Sequence, residues 1–138
     1  MSAASEIEAA FDQESTTILV VEDEVLVRIA LADFLRDCGY KVFEAANAQE
    51  AIQVLTALDQ PVSVLFSDVN MPGELDGFGL ARWVRKHKPD IKILLTSGHG
   101  RAAQIASELC ESGPLVPKPY QYSNVLSRIK RLLARAED

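Results

Sequence analysis

Val62-Ser63-Val64-Leu65-Phe66-Ser67-Asp68-Val69-Asn70-Met71-Pro72-Gly73-Glu74-Leu75-Asp76-Gly77-Phe78-Gly79 is the stretch that decides the fold. Its first part is almost continuously apolar and partly β-branched, as expected of a strand covered on both faces in a parallel sheet. The run stops at one carboxylate, Asp68, and then at a Pro-Gly turn. In open α/β sheets, ligands and chemistry gather outside the carboxyl ends of the strands, so an acid delivered there is a candidate reactive group. Taken alone, an Asp after a strand caps a turn more often than it reacts. The other strand ends decide between the two.

Upstream, Thr17-Ile18-Leu19-Val20-Val21 is a second apolar run, and it ends in Glu22, Asp23 and Glu24. From Glu24 to Cys38 the period changes to three and four, with Val27, Ala30, Leu31, Phe34, Leu35 and Cys38 on one helical face and Gly39 as its left-handed stop. Tyr40 to Ala45 is more polar, as befits an edge strand. Asn47 and Glu50 match a capping box that opens a helix through Leu58, with Ala51, Ile52, Leu55 and Leu58 inward.

Downstream of the deciding stretch, Gly77 to Lys88 predicts a helix with Phe78, Ala81 and Val84 inward, ended ahead of Pro89. Ile91 to Leu95 is a fourth strand that delivers Thr96 and Ser97. A further helix is expected from about His99 to Cys110. Leu115-Val116-Pro117 forms a short fifth strand, confined to an edge because proline cannot donate to a ladder. Val125, Ile129, Leu132 and Leu133 give the last helix its apolar stripe.

Five strands alternating with five helices imply right-handed crossovers and an α/β fold. The expected architecture is a flavodoxin-like, doubly wound five-stranded parallel sheet, order 2-1-3-4-5, with helices on both faces. Asp23 and Asp68 then meet at the switch point between strands one and three. Three carboxylates on one edge repel each other, and the usual remedies are protonation of one or a bound divalent cation. Oxygen ligands without His or Cys point to Mg²⁺. Lys118 and Thr96 add an ammonium and a hydroxyl that suit a phosphoryl group, with Asp68 in line as the nucleophile.

Length and composition are compatible with this. The 138 residues suffice for one domain with a real core, and 48% of them are hydrophobic. A net charge of −6 argues against nucleic-acid binding, which needs clustered Lys and Arg. Glu6, Glu8, Asp12 and Glu14 fall in the first fifteen residues, which carry no Lys or Arg; residues 1–15 are therefore expected to be an acidic extension to a domain spanning 16–138. That extension has no secretory pattern, and no apolar run reaches membrane-spanning length, so a cytoplasmic protein without membrane association is expected. Cys38 and Cys110 lack metal-site or disulfide spacing and are expected to be buried structural thiols.

Val20-Val21-Glu22-Asp23-Glu24, Ser67-Asp68-Val69-Asn70-Met71-Pro72, Leu94-Leu95-Thr96-Ser97-Gly98 and Lys118-Pro119-Tyr120 resemble the four signature segments of receiver domains from two-component response regulators. Four motifs in the right order on the right elements, across roughly residues 17 to 136, are far more specific than any one of them. The resemblance implies that Asp68 takes a phosphoryl group from a phosphohistidine on a sensor histidine kinase or histidine phosphotransfer protein. It implies a Mg²⁺ ion held by Asp23, Asp68 and the Asn70 backbone carbonyl, with Glu22 acting through a water. Lys118, aided by a cis Lys118-Pro119 bond, would pair with the phosphoryl oxygens, and Thr96 would move to hydrogen-bond them.

By the same resemblance, Asn70 and Gly98 flank the path of the water that removes the phosphoryl group and so tune its lifetime. Leu115 stands where the family usually has an aromatic switch residue. Glu22 replaces a more frequent Asp, and the turn from Asp68 to Asp76-Gly77 is one residue longer than the commonest. A stand-alone receiver acting on an unknown downstream protein is implied, with the first helix facing the kinase, the last helices and fifth strand facing outward, and a homodimer open.

Two rivals and one decoy complete the expectations. Gly98-His99-Gly100-Arg101-Ala102-Ala103 imitates a dinucleotide fingerprint, but it follows the fourth strand and no acid closes the next strand twenty residues on. A haloacid dehalogenase-like phosphatase would need a second Asp two residues after the nucleophile, where Asn70 stands. A phosphorylation-independent scaffold is disfavoured because all five key positions hold competent residues. His87 is read as an exposed helix end and Trp83 as a partly buried packing residue.

Overall fold

The apolar runs become strands because a parallel sheet hides both of their faces. The structure is a computed structural model that describes residues 16–97, 116–118 and 120–137. In chain order its elements are β1 (Thr17–Val21), α1 (Val25–Asp37), β2 (Lys41–Ala45), α2 (Ala48–Ala57), β3 (Val64–Asp68), α3 (Gly77–His87), β4 (Lys92–Ser97), β5 (Val116–Pro117) and α4 (Tyr122–Glu137). All strand pairings are parallel, in the order β2-β1-β3-β4-β5. The four longer strands carry the sheet, while β5 adds a two-residue pairing to β4. The flavodoxin-like class follows. The extension at residues 1–15, Gly98, the helix expected from His99 to Cys110, Leu115 and the Lys118-Pro119 bond lie outside the described residues.

Side chains alternate across the sheet into two apolar clusters. Leu19, Val21, Leu65, Ile93 and Leu95 pack with α2 and α3 on one face. Ile18, Val20, Val64, Phe66 and Leu94 pack with α1 and α4 on the other. β1 and β3 are buried along their whole length, so Asp68 inherits a position set by a rigid, fully covered strand.

Local chemistry mostly follows the sequence, with instructive departures. Gly39 takes φ 100, the left-handed stop expected of it. On α1 the buried face is Leu31, Ala32 and Leu35, and Ala30 is exposed; the core stripe is rotated because Ala32, and not Ala30, packs into the cluster with Ile18, Val20 and Val64 of the sheet. At α2, Asn47 Oδ1 accepts from the Glu50 amide at 2.9 Å, but Glu50 Oε1 reaches back to the amide of Ala46 instead of Asn47. Leu58 is the extended C-cap of that helix and not its last turn. Cys38 is a free, half-buried thiol, and Trp83 stacks on His87 at 4.5 Å.

The turn after β3 is closed from both sides. Asp76 Oδ1 accepts from the Gly79 amide at 2.9 Å and starts α3, and the Gly77 amide donates to the Val69 carbonyl at 2.9 Å. Gly77 must be a glycine: a Cβ there would run into the Asp68 carbonyl oxygen and come within 2.6 Å of Val69 Cα. Within the turn, Gly73 is exposed and takes φ 114, a left-handed conformation that suits glycine.

Candidate functional site

The carboxyl ends of β1 and β3 bring Glu22, Asp23 and Asp68 together, with one carboxylate oxygen from each lying within 4.8 Å of the others. Glu22 and Asp68 are 2% and 3% exposed, whereas Asp23 faces solvent. From the far side of the sheet edge, Lys118 Nζ donates to Asp68 Oδ2 at 2.8 Å and to Glu22 Oε2 at 3.5 Å. Asp68 Oδ1 also accepts from the Asn70 amide at 3.1 Å. An anionic pair at the end of two buried strands is thus clamped by one ammonium, with the exposed Asp23 as its open side.

Crowding is visible in the protonation equilibria. Burial, with the Asp68 charge adding to it against a hydrogen bond from the Glu24 amide, pushes the Glu22 carboxyl up to about 7. Burial lowers the Lys118 ammonium, but its hydrogen bond and charge pairing with Asp68 more than offset this and hold it above the ordinary lysine value. Tyr120, half-buried beside them, is pushed up to about 12 by burial and then by the Glu22 charge. Three hard oxygen donors, one of them solvent-facing and one resisting ionisation among like charges, fit a small divalent cation that would relieve that repulsion. No nitrogen or sulfur ligand accompanies them among the described residues.

Thr96 is in register with Asp68 on the adjacent strand. Its hydroxyl turns the other way and donates to the Val116 carbonyl at 2.8 Å. The Asn70 side-chain amide spans from the turn to β4, donating to Ser97 Oγ at 3.3 Å.

A family model described as response regulator receiver domain matches residues 18–130. The chain belongs to that family. Sensor kinase CckA of Brucella abortus is 37% identical to this receiver over 125 residues, covering 89% of this chain and 13% of the relative. A putative response regulator, NtrX-like, of Rickettsia felis is 30% identical over 117 residues, covering 83% of this chain and 24% of the relative. The chain therefore spans no more than about a quarter of these curated relatives. Among solved structures, response regulator protein TrrA from Thermotoga maritima, in complex with Mg²⁺ and BeF, matches with a TM-score of 0.74 at 27% identity, covering 85% of this chain and 98% of that one. The receiver is a phosphorelay signalling domain.

Glu22, Asp23, Asp68 and Lys118, all named from sequence, are assembled into one constellation, while the Thr96 hydroxyl is turned away from it. Gly98 and Leu115 are not among the described residues. Two features escaped the sequence reading. Arg28 of α1 reaches back to the acidic loop, donating from Nη1 to the Glu22 carbonyl at 3.0 Å. Its only signal was a charge flanking an apolar helical stripe. Next to Lys118, a groove of about 570 Å³ is lined by Leu26, Val27 and Ala30 of α1 and by Tyr120 and Tyr122. Val25, Leu26 and Ile29 stand exposed on the same helix, Leu26 at 82%. No described helix is long and apolar enough to cross a membrane.

Proposed function

We propose that Asp68 is the phosphoacceptor of this receiver, with a phosphohistidine on a sensor histidine kinase or phosphotransfer protein as donor. The observation that carries this is the Asp68 carboxylate: it is nearly buried at a strand end, yet its Oδ2 is paired at 2.8 Å with an ammonium that could instead hold a phosphoryl oxygen. A carboxylate oxygen of Asp68 forms the new P–O bond as the P–N bond to the donor imidazole breaks, and the imidazole nitrogen keeps the bonding electron pair. Lys118 then passes from the Asp68 oxygen to an oxygen of the transferred group. Thr96 leaves the Val116 carbonyl to donate to another.

Asp23, Asp68 and the Asn70 backbone carbonyl would hold Mg²⁺, with Glu22 behind them through a water. The ion would supply charge neutralisation at the phosphoryl oxygens. Asn70 and Gly98 would flank the dephosphorylating water, and Leu115 would fill the switch position. Residues 1–15 would be an extension to a domain spanning 16–138. Turnover of outside substrates is not part of the activity, because the Asn70 side chain is an amide tied to Ser97 and cannot serve as acid and base. The exposed apolar face of α1, bordering the groove beside Lys118, is the surface offered to the donor protein. Output would pass through contacts with a downstream protein, and a cytoplasmic location belongs with these roles.

Intact-mass spectrometry after exposure to a small phosphodonor tests the assignment. A single Mg²⁺-dependent phosphoryl adduct is expected on the wild type and none on Asp68→Asn. An adduct of equal yield on the variant would refute it, as would sustained phosphate release from assorted monoesters.

A further inference from the structure

We propose that Arg28 is a positioning residue for the divalent cation, acting by clamping the peptide that joins Glu22 to Asp23. This inference rests on the metal assignment proposed above and adds the element that sets its geometry. The Arg28 side chain is largely buried, 16% exposed, and its guanidinium points from α1 back toward the end of β1. Nη1 donates to the Glu22 carbonyl at 3.0 Å, and Nε pairs with Glu44 Oε1 on β2 at 3.3 Å. Because the Glu22 carbonyl and the Asp23 amide share one planar unit, holding that oxygen orients the plane from which the two carboxylates diverge.

Within the loop, the Glu24 amide donates to Glu22 Oε1 at 3.2 Å, and the Glu24 side chain, at the N-cap of α1, makes no capping bond; neither reaches the Glu22 carbonyl. The Glu22 amide is tied to the Ala45 carbonyl of β2 at 3.1 Å. With Arg28 on its carbonyl, the backbone of Glu22 is held at both polar atoms. Glu44 is itself anchored, since its Oε2 accepts from Arg36 Nη2 at 3.0 Å while the same nitrogen donates to the Val42 carbonyl at 2.9 Å. A planar fork can serve Glu22 and Glu44 together in fixed geometry, which a lysine ammonium cannot.

A plain helix-to-strand ion pair would predict the same contacts between Arg28 and Glu44 with no consequence for the metal. Arg36 separates the two cases, because it shares Glu44 but has no described contact with Glu22. Calorimetric titration with MgCl₂ is expected to show Arg28→Met weakening the ion about tenfold or more, as loss of an orienting partner commonly does. Arg36→Met should stay within about twofold of wild type, and Arg28→Lys should fall between. In amide NMR spectra without metal, the Asp23 resonance should move in Arg28→Lys and Arg28→Met and stay in place in Arg36→Met. Wild-type affinity in Arg28→Met, or equal weakening in Arg36→Met, would overturn the clamp while leaving the metal site standing. If Arg28→Met does not fold, an unmoved Asp23 resonance in Arg28→Lys overturns it instead. A wild type that binds no Mg²⁺ would remove the metal assignment and the clamp together.

Discussion

The two halves of the site stand at different stages of readiness. On the β1 and β3 side, Glu22, Asp68 and Lys118 are already in contact. On the β4 side the Thr96 hydroxyl, one strand away, is committed to the Val116 carbonyl. Opposite charges in a poorly hydrated edge find each other without any ligand, because leaving a carboxylate unpaired there is costly. A neutral hydroxyl has no such pull and takes the nearest acceptor. The charged half is therefore preassembled, while the hydroxyl is held by the neighbouring strand.

This contrast can be broken from the charged side first, with the largest effect. Glu22 has an ordinary carboxyl value when unfolded and about 7 when folded, so the native state binds the extra proton. Without metal, stability should be highest below about pH 4.5 and decline as pH rises to 7, by about 3 kcal/mol for this group alone. Subtracting urea-denaturation curves of Glu22→Gln from wild type across pH should isolate that decline. A flat difference would mean that the acid is not crowded. Mg²⁺ should offset the loss above pH 7 and do little at pH 5.

Lys118→Met comes next. It leaves two nearly buried carboxylates without their counter-ion, and since the ammonium is itself about a third exposed, the expected loss near pH 8 is about 2 kcal/mol, less than for a fully buried pair. Added Mg²⁺ should restore more stability to this variant than it adds to wild type. Equal responses in the two proteins would show that the ammonium and the cation do not compete for the same charge.

Thr96→Val sharpens the other half. Losing the hydroxyl strands a buried carbonyl of Val116, for about 1 kcal/mol, with no change in the Glu22 titration. Phosphorylation of Asp68 should persist while the spectral changes that follow it at β4 and β5 diminish. A shifted Glu22 pH profile in this variant would mean that the halves are coupled before any phosphoryl group arrives.

Much of this was legible in the chain. Largely apolar runs at Thr17–Val21 and Val64–Asp68 specified buried parallel strands, and the acids that end them had to emerge at one edge whatever the side-chain details. Helical faces were less secure: Ala30 fits the apolar period, yet Ala32 is the one buried, because the packing of α1 on the sheet fixes the rotation of the helix and the period alone does not. The shift of Glu50 from the Asn47 amide to that of Ala46 was equally invisible, because a capping box states which groups can meet and not which of two adjacent amides is closer.

Periodicity and motif order by themselves determined the layered architecture, the switch point and the membership of the acidic cluster, since each depends on where residues fall along their own strand or helix. Tertiary structure alone decided that Lys118 spans Asp68 and Glu22, that Thr96 faces Val116, and that Arg28 grips the Glu22 carbonyl. Those choices are made between elements far apart in the chain, where distances of a few tenths of an ångström select one hydrogen-bond partner over another and no local pattern records the outcome.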